Sequence, residues 1–214
     1  MKKHVGWHWL FSVFLTVSCL LCWTNLVQAQ TPGCDVTWRK ADNPRVINGI
    51  VTIPANQNVC AEPGVIVQFA ADGKLNLLGR LTATGTSDER ITFTAPNVFP
   101  NRIEVVGTLD LRFADVAVPL NMNANSTLLC RDCRFTGRGM VLTLNGVTSN
   151  LAAGTRFVSL ENVTFDTTDP LLNSDFYVTG VTAILRNVTF RNYAHCNVRN
   201  SYLYVDNVTS QNAA

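Results

Sequence analysis

Few side chains in this sequence have the type and spacing that enzyme chemistry needs. Beyond residue 29 there is one histidine, His195 in the segment NYAHCNV, and no paired-aspartate motif. Acid and base catalysis on polysaccharides needs a positioned basic residue or two carboxylates. A lone histidine more often lies at a surface or in a turn. We therefore expect no catalytic residue and no cofactor.

Three aspartates form the densest carboxylate group and are weak candidates for calcium ligands. They are Asp166, Asp169 and Asp175 in the segment FDTTDPLLNSD. Carboxylate oxygens suit calcium, but this spacing matches no known calcium loop. Aspartate and proline are also ordinary turn residues. We expect a loop here and no metal site.

The pair Cys130 and Cys133 has the spacing of half a zinc site or of a redox pair. A structural zinc site needs a second pair of ligands, and only His195 and Cys196 remain to supply it. Both cysteines align with apolar positions of a repeat described below. We expect them to pack as small hydrophobic residues, with a local disulfide as the alternative.

Four arginines are candidates for binding an anion. Arg112 and Arg134 each stand two residues after an aspartate, in the segments TLDLRF and CRDCRF. If these segments align, both arginines face outward at the same place on successive repeats and form a strip with Arg131 and Arg138. The alternative is a solvated charged face that contributes little free energy.

An internal repeat must position all of these residues. The segments TLDLRF, CRDCRF, LENVTF, LRNVTF and VDNVTS recur at intervals of 20 to 30 residues. A short constant block separated by loops of varying length is typical of a solenoid. Asparagine, valine and threonine in a short block favour strand over helix.

The third position of each repeat holds only asparagine or aspartate. In the consensus L-x-N-V-T-F the apolar residues stand at the first, fourth and sixth positions, so strict alternation slips by one at this place. Asparagine and aspartate tolerate the left-handed backbone better than other non-glycine residues. We predict a sharp corner between two strands, with the corner side chains stacked in a hydrogen-bonded ladder: Asp110, Asp132, Asn162, Asn187 and Asn207.

The first 29 residues have the features of a signal peptide. Lys2 and Lys3 precede an apolar stretch, and Val27 and Ala29 occupy the −3 and −1 positions of a cleavage site before Gln30. A membrane anchor is the alternative, but after cleavage we expect no integral membrane segment. Without the two lysines the chain has 15 basic and 15 acidic residues. That balance argues against nucleic-acid binding through bulk charge.

The segment from Gly49 to Ala95 carries a family resemblance. It contains IPA, an EPG turn, the runs LNLLG and RLTATGT, and ITFT. These features resemble the opening coils of bacterial exported right-handed parallel β-helix proteins of the pectin-lyase-like architecture. The resemblance implies an all-β solenoid of roughly seven coils over residues 49–214, after a capping segment over residues 30–48. It says little about function, because that architecture hosts enzymes, adhesins and stalks.

Set against that resemblance, Ala61 is smaller than the aliphatic residue usually found at its place. The small residue suggests local tightening beside Cys60, and we predict a disulfide between Cys34 and Cys60 that holds the N-terminal segment over the first coil. Two free thiols are the alternative.

We expect a secreted protein, at the cell surface or outside the cell, with the periplasm as an alternative location. The favoured function is a non-enzymatic structural or binding module that contacts polysaccharide or a surface protein. The alternative is a polysaccharide lyase or glycoside hydrolase with divergent or missing catalytic coils. The last repeat ends at Ser210 with no capping sequence after it. We therefore expect self-association through the C-terminal coil, or a β-helix that continues beyond residue 214.

Overall fold

The structure is a computed structural model. It describes residues 33–96, 100–136, 156–167, 174–192, 194–199 and 201–211. The predicted signal peptide and two of the predicted site residues, Arg138 and Asp169, lie outside the described residues.

Short strands make up most of the described chain, with one 3-10 turn at Lys40–Asp42. The strands are β1 (Val36–Trp38), β2 (Arg45–Ile47), β3 (Ile50–Ile53), β4 (Asn58–Ala61), β5 (Ile66–Phe69), β6 (Lys74–Leu77), β7 (Arg80–Thr84), β8 (Ile91–Thr94), β9 (Arg102–Val105), β10 (Thr108–Arg112), β11 (Ala114–Val116), β12 (Leu120–Met122), β13 (Thr127–Arg131), β14 (Arg134–Thr136), β15 (Arg156–Thr167), β16 (Ser174–Thr179), β17 (Val181–Asn192), β18 (Ala194–Arg199) and β19 (Tyr202–Gln211).

All described strand pairs are parallel, and each joins a strand to the one a full turn later. The first face stacks β1, β4, β7, β10, β13 and the first parts of β15, β17 and β19. The second face stacks β2, β5, β8, β11, β14 and the second parts of the same three long strands. The third place in each turn is taken by β3, β6, β9 and β12, and later by β16 and β18.

This arrangement is a parallel β-solenoid of about six turns, which confirms the predicted all-β solenoid fold. The first turn already includes β1 and β2, which pair with β4 and β5. The solenoid therefore begins within residues 30–48, where the sequence predicts a capping segment.

Alternation of inward and outward side chains fills the interior with apolar residues. Three phenylalanines on the second face stack directly on one another. The ring centroids of Phe135 and Phe165 are 4.8 Å apart, and those of Phe165 and Phe190 are 5.0 Å apart, with nearly parallel planes. Cys130 and Cys133 are buried in the same interior, 3% and 1% exposed. Cys130 lies in register with Leu160, so it fills an ordinary core position.

The corner predicted at Asp110 in TLDLRF lies three residues later in the structure. Leu109 and Leu111 both point inward in β10, so alternation runs through Asp110 without a slip. The left-handed corner of this turn is Phe113, with φ of 48°. Asp110 is therefore a strand residue facing outward, and its assignment to the corner ladder was wrong.

Candidate functional site: the arginine groove on the first face

The outward side chains of the first face form columns because the strands are parallel and in register. Thr84, Arg112, Arg131 and Glu161 occupy successive places in one column. Beside it runs a second column of Thr82, Asp110, Leu129 and Ser159. Residues of both columns enclose an open groove with a volume of about 340 Å³. We call it the arginine groove; its lining is Thr84, Asp110, Leu111, Arg112, Leu129, Cys130, Arg131, Ser159 and Glu161.

The two carboxylates of the groove are already engaged by cations. Arg80 donates from its guanidinium to Asp110 over 2.7 Å. Arg131 donates to one carboxylate oxygen of Glu161 from two of its nitrogens, over 2.8 and 2.9 Å. Both pairs are partly exposed, so they fix side-chain positions more than they stabilise the fold.

Arg112 differs from these arginines because it has no acidic partner among the described residues. It is exposed and lies directly opposite Arg131 in the register of β10 and β13. Like charges opposite each other on neighbouring strands repel. An anion between the two guanidinium groups would relieve that repulsion, and a carboxylate matches their planar donor geometry.

The floor of the groove also offers an apolar contact. Leu129 faces outward between Asp110 and Ser159 in the second column. The same column continues to Ile184 and Tyr204, two and three strands further along the face. The groove therefore combines positive charge with one outward apolar side chain, and further apolar side chains follow in the same column beyond it.

Of the three predicted arginines that the structure describes, Arg112 and Arg131 come together in this groove. Arg134 lies beyond the corner on the second face, where its neighbours in register are Asp115 and Thr164. The expectation that Arg112 and Arg134 share one column was wrong, since it followed from the misplaced repeat. Sequence reasoning missed Arg80, Leu129, Ser159 and Glu161, which only the correct register brings to Arg112.

The corner ladder lies beside the groove. Asp132, Asn162, Asn187 and Asn207 have φ between 51° and 56°. Each asparagine amide donates to the side-chain oxygen of the preceding corner residue, over 2.9, 3.0 and 2.9 Å. The first member accepts only, which suits an aspartate. The corner of the preceding turn is Phe113, whose side chain cannot accept a hydrogen bond from residue 132. Residue 132 therefore needs no side-chain donor.

The remaining predicted residues lie away from the groove. Asp166 accepts a hydrogen bond of 2.6 Å from the amide of Asn192. Asp175 and His195 are opposite each other in the pair of β16 and β18. Within the described ranges, no three His, Cys, Asp or Glu side chains are placed to hold a metal ion.

Two of the cysteines form a covalent link near the start of the solenoid. Cys34 and Cys60 are joined by a disulfide, with Cα atoms 5.7 Å apart. Burial raises the pKa of Cys130 well above that of an ordinary thiol. Of the free thiols, Cys130 and Cys133 are buried and Cys196 is exposed.

Comparison of the chain with protein-family models, curated protein sequences and solved structures finds no match. Where the structure describes the chain, it contains no helix long and apolar enough to cross a membrane.

Proposed function

We propose that this chain is an exported binding module that holds an acidic polysaccharide in the arginine groove. The observation that carries the proposal is the position of Arg112, which is exposed, lies opposite Arg131 and has no acidic partner among the described residues. A sugar carboxylate placed there would gain charge-assisted hydrogen bonds and separate two like charges.

The surroundings of Arg112 favour an extended ligand over a small ion. Leu129 offers a surface for the apolar face of a sugar ring, and Ser159 offers a hydroxyl beside it. The groove is open and follows the stacking direction of the strands, so a linear chain would contact several turns. The length of the face lets many weak contacts add together.

The wider assignment forms part of the same proposal. The repeat and the segment from Gly49 to Ala95 support a right-handed β-helix of pectin-lyase-like architecture. The N-terminal sequence supports export and a mature protein that begins at Gln30. Mass spectrometry of protein recovered outside the cytoplasm tests the cleavage; intact residues before Gln30 would contradict it.

Binding assays with acidic and neutral polysaccharides test the proposed ligand. We expect the purified protein to bind polygalacturonate, alginate or a glycosaminoglycan more tightly than dextran, and the affinity to fall as salt screens the charges. Arg112→Ala should abolish most of this binding. The matched control is Arg191→Ala, which removes an exposed arginine on the second face. Equal loss in both variants, or no preference for acidic polysaccharides, would contradict the proposal.

The same samples separate binding from the alternative, a lyase or hydrolase. We expect no unsaturated product and no new reducing ends when calcium is present. Asp110 and Glu161 are held by Arg80 and Arg131, and an arginine stays protonated, so it is a poor general base. Product that forms with the unaltered protein and disappears in Arg112→Ala would assign the groove to an enzyme.

A further inference from the structure

The last described strand leaves an open edge. β19 pairs with β17 on one side, and no other described strand pairs with it. Four consecutive large side chains on this strand are exposed: Tyr202, Leu203, Tyr204 and Val205, at 66%, 42%, 56% and 49%. A long strand with unpaired backbone groups is a template for another strand.

The exposed residues include positions that belong to the core. Leu203 and Val205 continue the columns of Ala183 and Leu185, which are buried in the turn below. Open edges are commonly protected by proline, lysine or a bulge. The strand Tyr202–Gln211 has neither proline nor lysine, and Asp206 is its one charged residue. The strand therefore lacks the residues that protect an exposed edge, and its composition favours pairing with another strand.

The corner makes the pattern of inward side chains symmetric about its centre. Leu203 and Val205 point inward before Asn207, while Val208 and Ser210 point inward after it, above Val188 and Phe190. Reversing the strand about the midpoint between residues 206 and 207 exchanges these two halves. An identical strand from a second copy, running antiparallel, would therefore place its Val208 opposite Val205 of the first copy. Every inward residue of one strand would lie opposite an inward residue of the other.

The corner amide supports the same symmetry. Asn207 donates one hydrogen bond to Asn187, over 2.9 Å. Its own oxygen and its second amide hydrogen have no described partner. An amide carries a donor and an acceptor, so two copies related by a two-fold axis can exchange two hydrogen bonds. A carboxylate, such as Asp132 at the other end of the ladder, could not.

We propose that two copies of this chain form a symmetric dimer in which β19 pairs antiparallel with β19 of the second copy. The two-fold axis passes between Asp206 and Asn207, so the interface is isologous and closed. The dimer continues the sheets of the first and second faces from one copy into the other and buries the exposed ends of the core columns. It does not use the arginine groove, and its test is independent of polysaccharide binding.

Light scattering coupled to size-exclusion chromatography tests the dimer with purified full-length protein. We expect twice the mass of one chain at micromolar concentration. Val205→Lys should convert the protein to monomer without changing its circular dichroism. Ile66→Lys is the matched control, because Ile66 is an outward residue on β5 at 39% exposure, and it should remain dimeric. An unaltered protein that is monomeric would overturn the proposal.

Disulfide crosslinking tests the symmetry. In a Cys196→Ser background, Asp206→Cys should link two copies on mild oxidation, because residue 206 lies next to the axis in both. Thr37→Cys on β1, at the other end of the solenoid, should give no such link. Oligomers that grow beyond two copies, or that link residue 206 only to residue 37, would show head-to-tail stacking instead and overturn the proposed dimer.

Discussion

Asn187 donates its side-chain amide to the side-chain oxygen of Asn162, 3.0 Å away, while both residues hold a left-handed backbone. The corner position requires a residue that tolerates the left-handed backbone and whose side chain can hydrogen-bond to the neighbouring turns, and asparagine meets both requirements. Asparagine tolerates the corner and has a donor for the turn before it and an acceptor for the turn after it.

Asn187→Ala should lower the free energy of unfolding by about 1 to 2 kcal/mol, because alanine loses the ladder bonds and is strained in the left-handed conformation. Asn187→Gly is the control, since glycine loses the same bonds but adopts the corner freely. Urea denaturation should therefore rank glycine as the less damaging change. Equal losses of stability in the two variants would show that alanine adopts the left-handed backbone at residue 187 without a free-energy penalty.

Phe165→Ala should cost roughly 3 to 5 kcal/mol, because the ring lies between Phe135 and Phe190 and is 1% exposed. Phe157→Ala is the matched control on the same strand. Phe157 belongs to an outward column of the first face and is only half-buried. Chemical denaturation should separate the two variants clearly; similar losses would contradict the assigned inward and outward phases of β15.

Arg90→Ala should destabilise the fold by about 1.5 to 3 kcal/mol, as removal of a charged hydrogen-bond donor does. Its guanidinium donates to the Asp115 carboxylate over 2.9 Å and to the backbone oxygens of Ala114 and Asp132 over 3.0 and 2.9 Å. It thus joins three successive turns at the corner. Arg90→Lys should rescue little of the loss, because one ammonium cannot reproduce that fork; full rescue would contradict this role.

Replacing both Cys34 and Cys60 by serine should reduce stability by about 3 kcal/mol in the chain-entropy account of disulfides. The bond spans 26 residues of sequence and ties the start of the chain to β4. Cys196→Ser, which changes an exposed free thiol, is the control. Thermal unfolding with and without reductant measures both effects. A reductant that shifts the melting of the unaltered protein no more than that of the double variant would contradict the prediction.

The fold follows from the sequence where one residue type does one task at a recurring place. Asn162, Asn187 and Asn207 mark corners, and the valine and phenylalanine after the first two mark the inward positions of the next strand. The rule failed at Phe113, because a corner there is held by the surrounding backbone pairing and not by an asparagine or aspartate. Because the corner was predicted at Asp110, Arg112 was aligned with Arg134 instead of with Arg131, its true neighbour on the next strand.

The groove could not be predicted for the same reason. Arg112 and Arg131 lie opposite each other because of the register in which β10 and β13 pair. The loop that sets this register varies in length from turn to turn, so the sequence does not reveal it. Glu161 lies 30 residues from Arg131 in sequence. Nothing in either local segment shows which of the nearby acids each arginine selects.

The ladder also bears on how a protein of this kind changes its length. Asn162 and Asn187 are 25 residues apart and occupy equivalent places, each accepting from the amide that follows. A segment that starts at one corner and stops just before the next is consequently a self-contained module, with matching ends. Duplicating or excising such a module would leave each junction chemically unchanged, so the number of turns can drift during evolution while the rules for building one turn stay fixed.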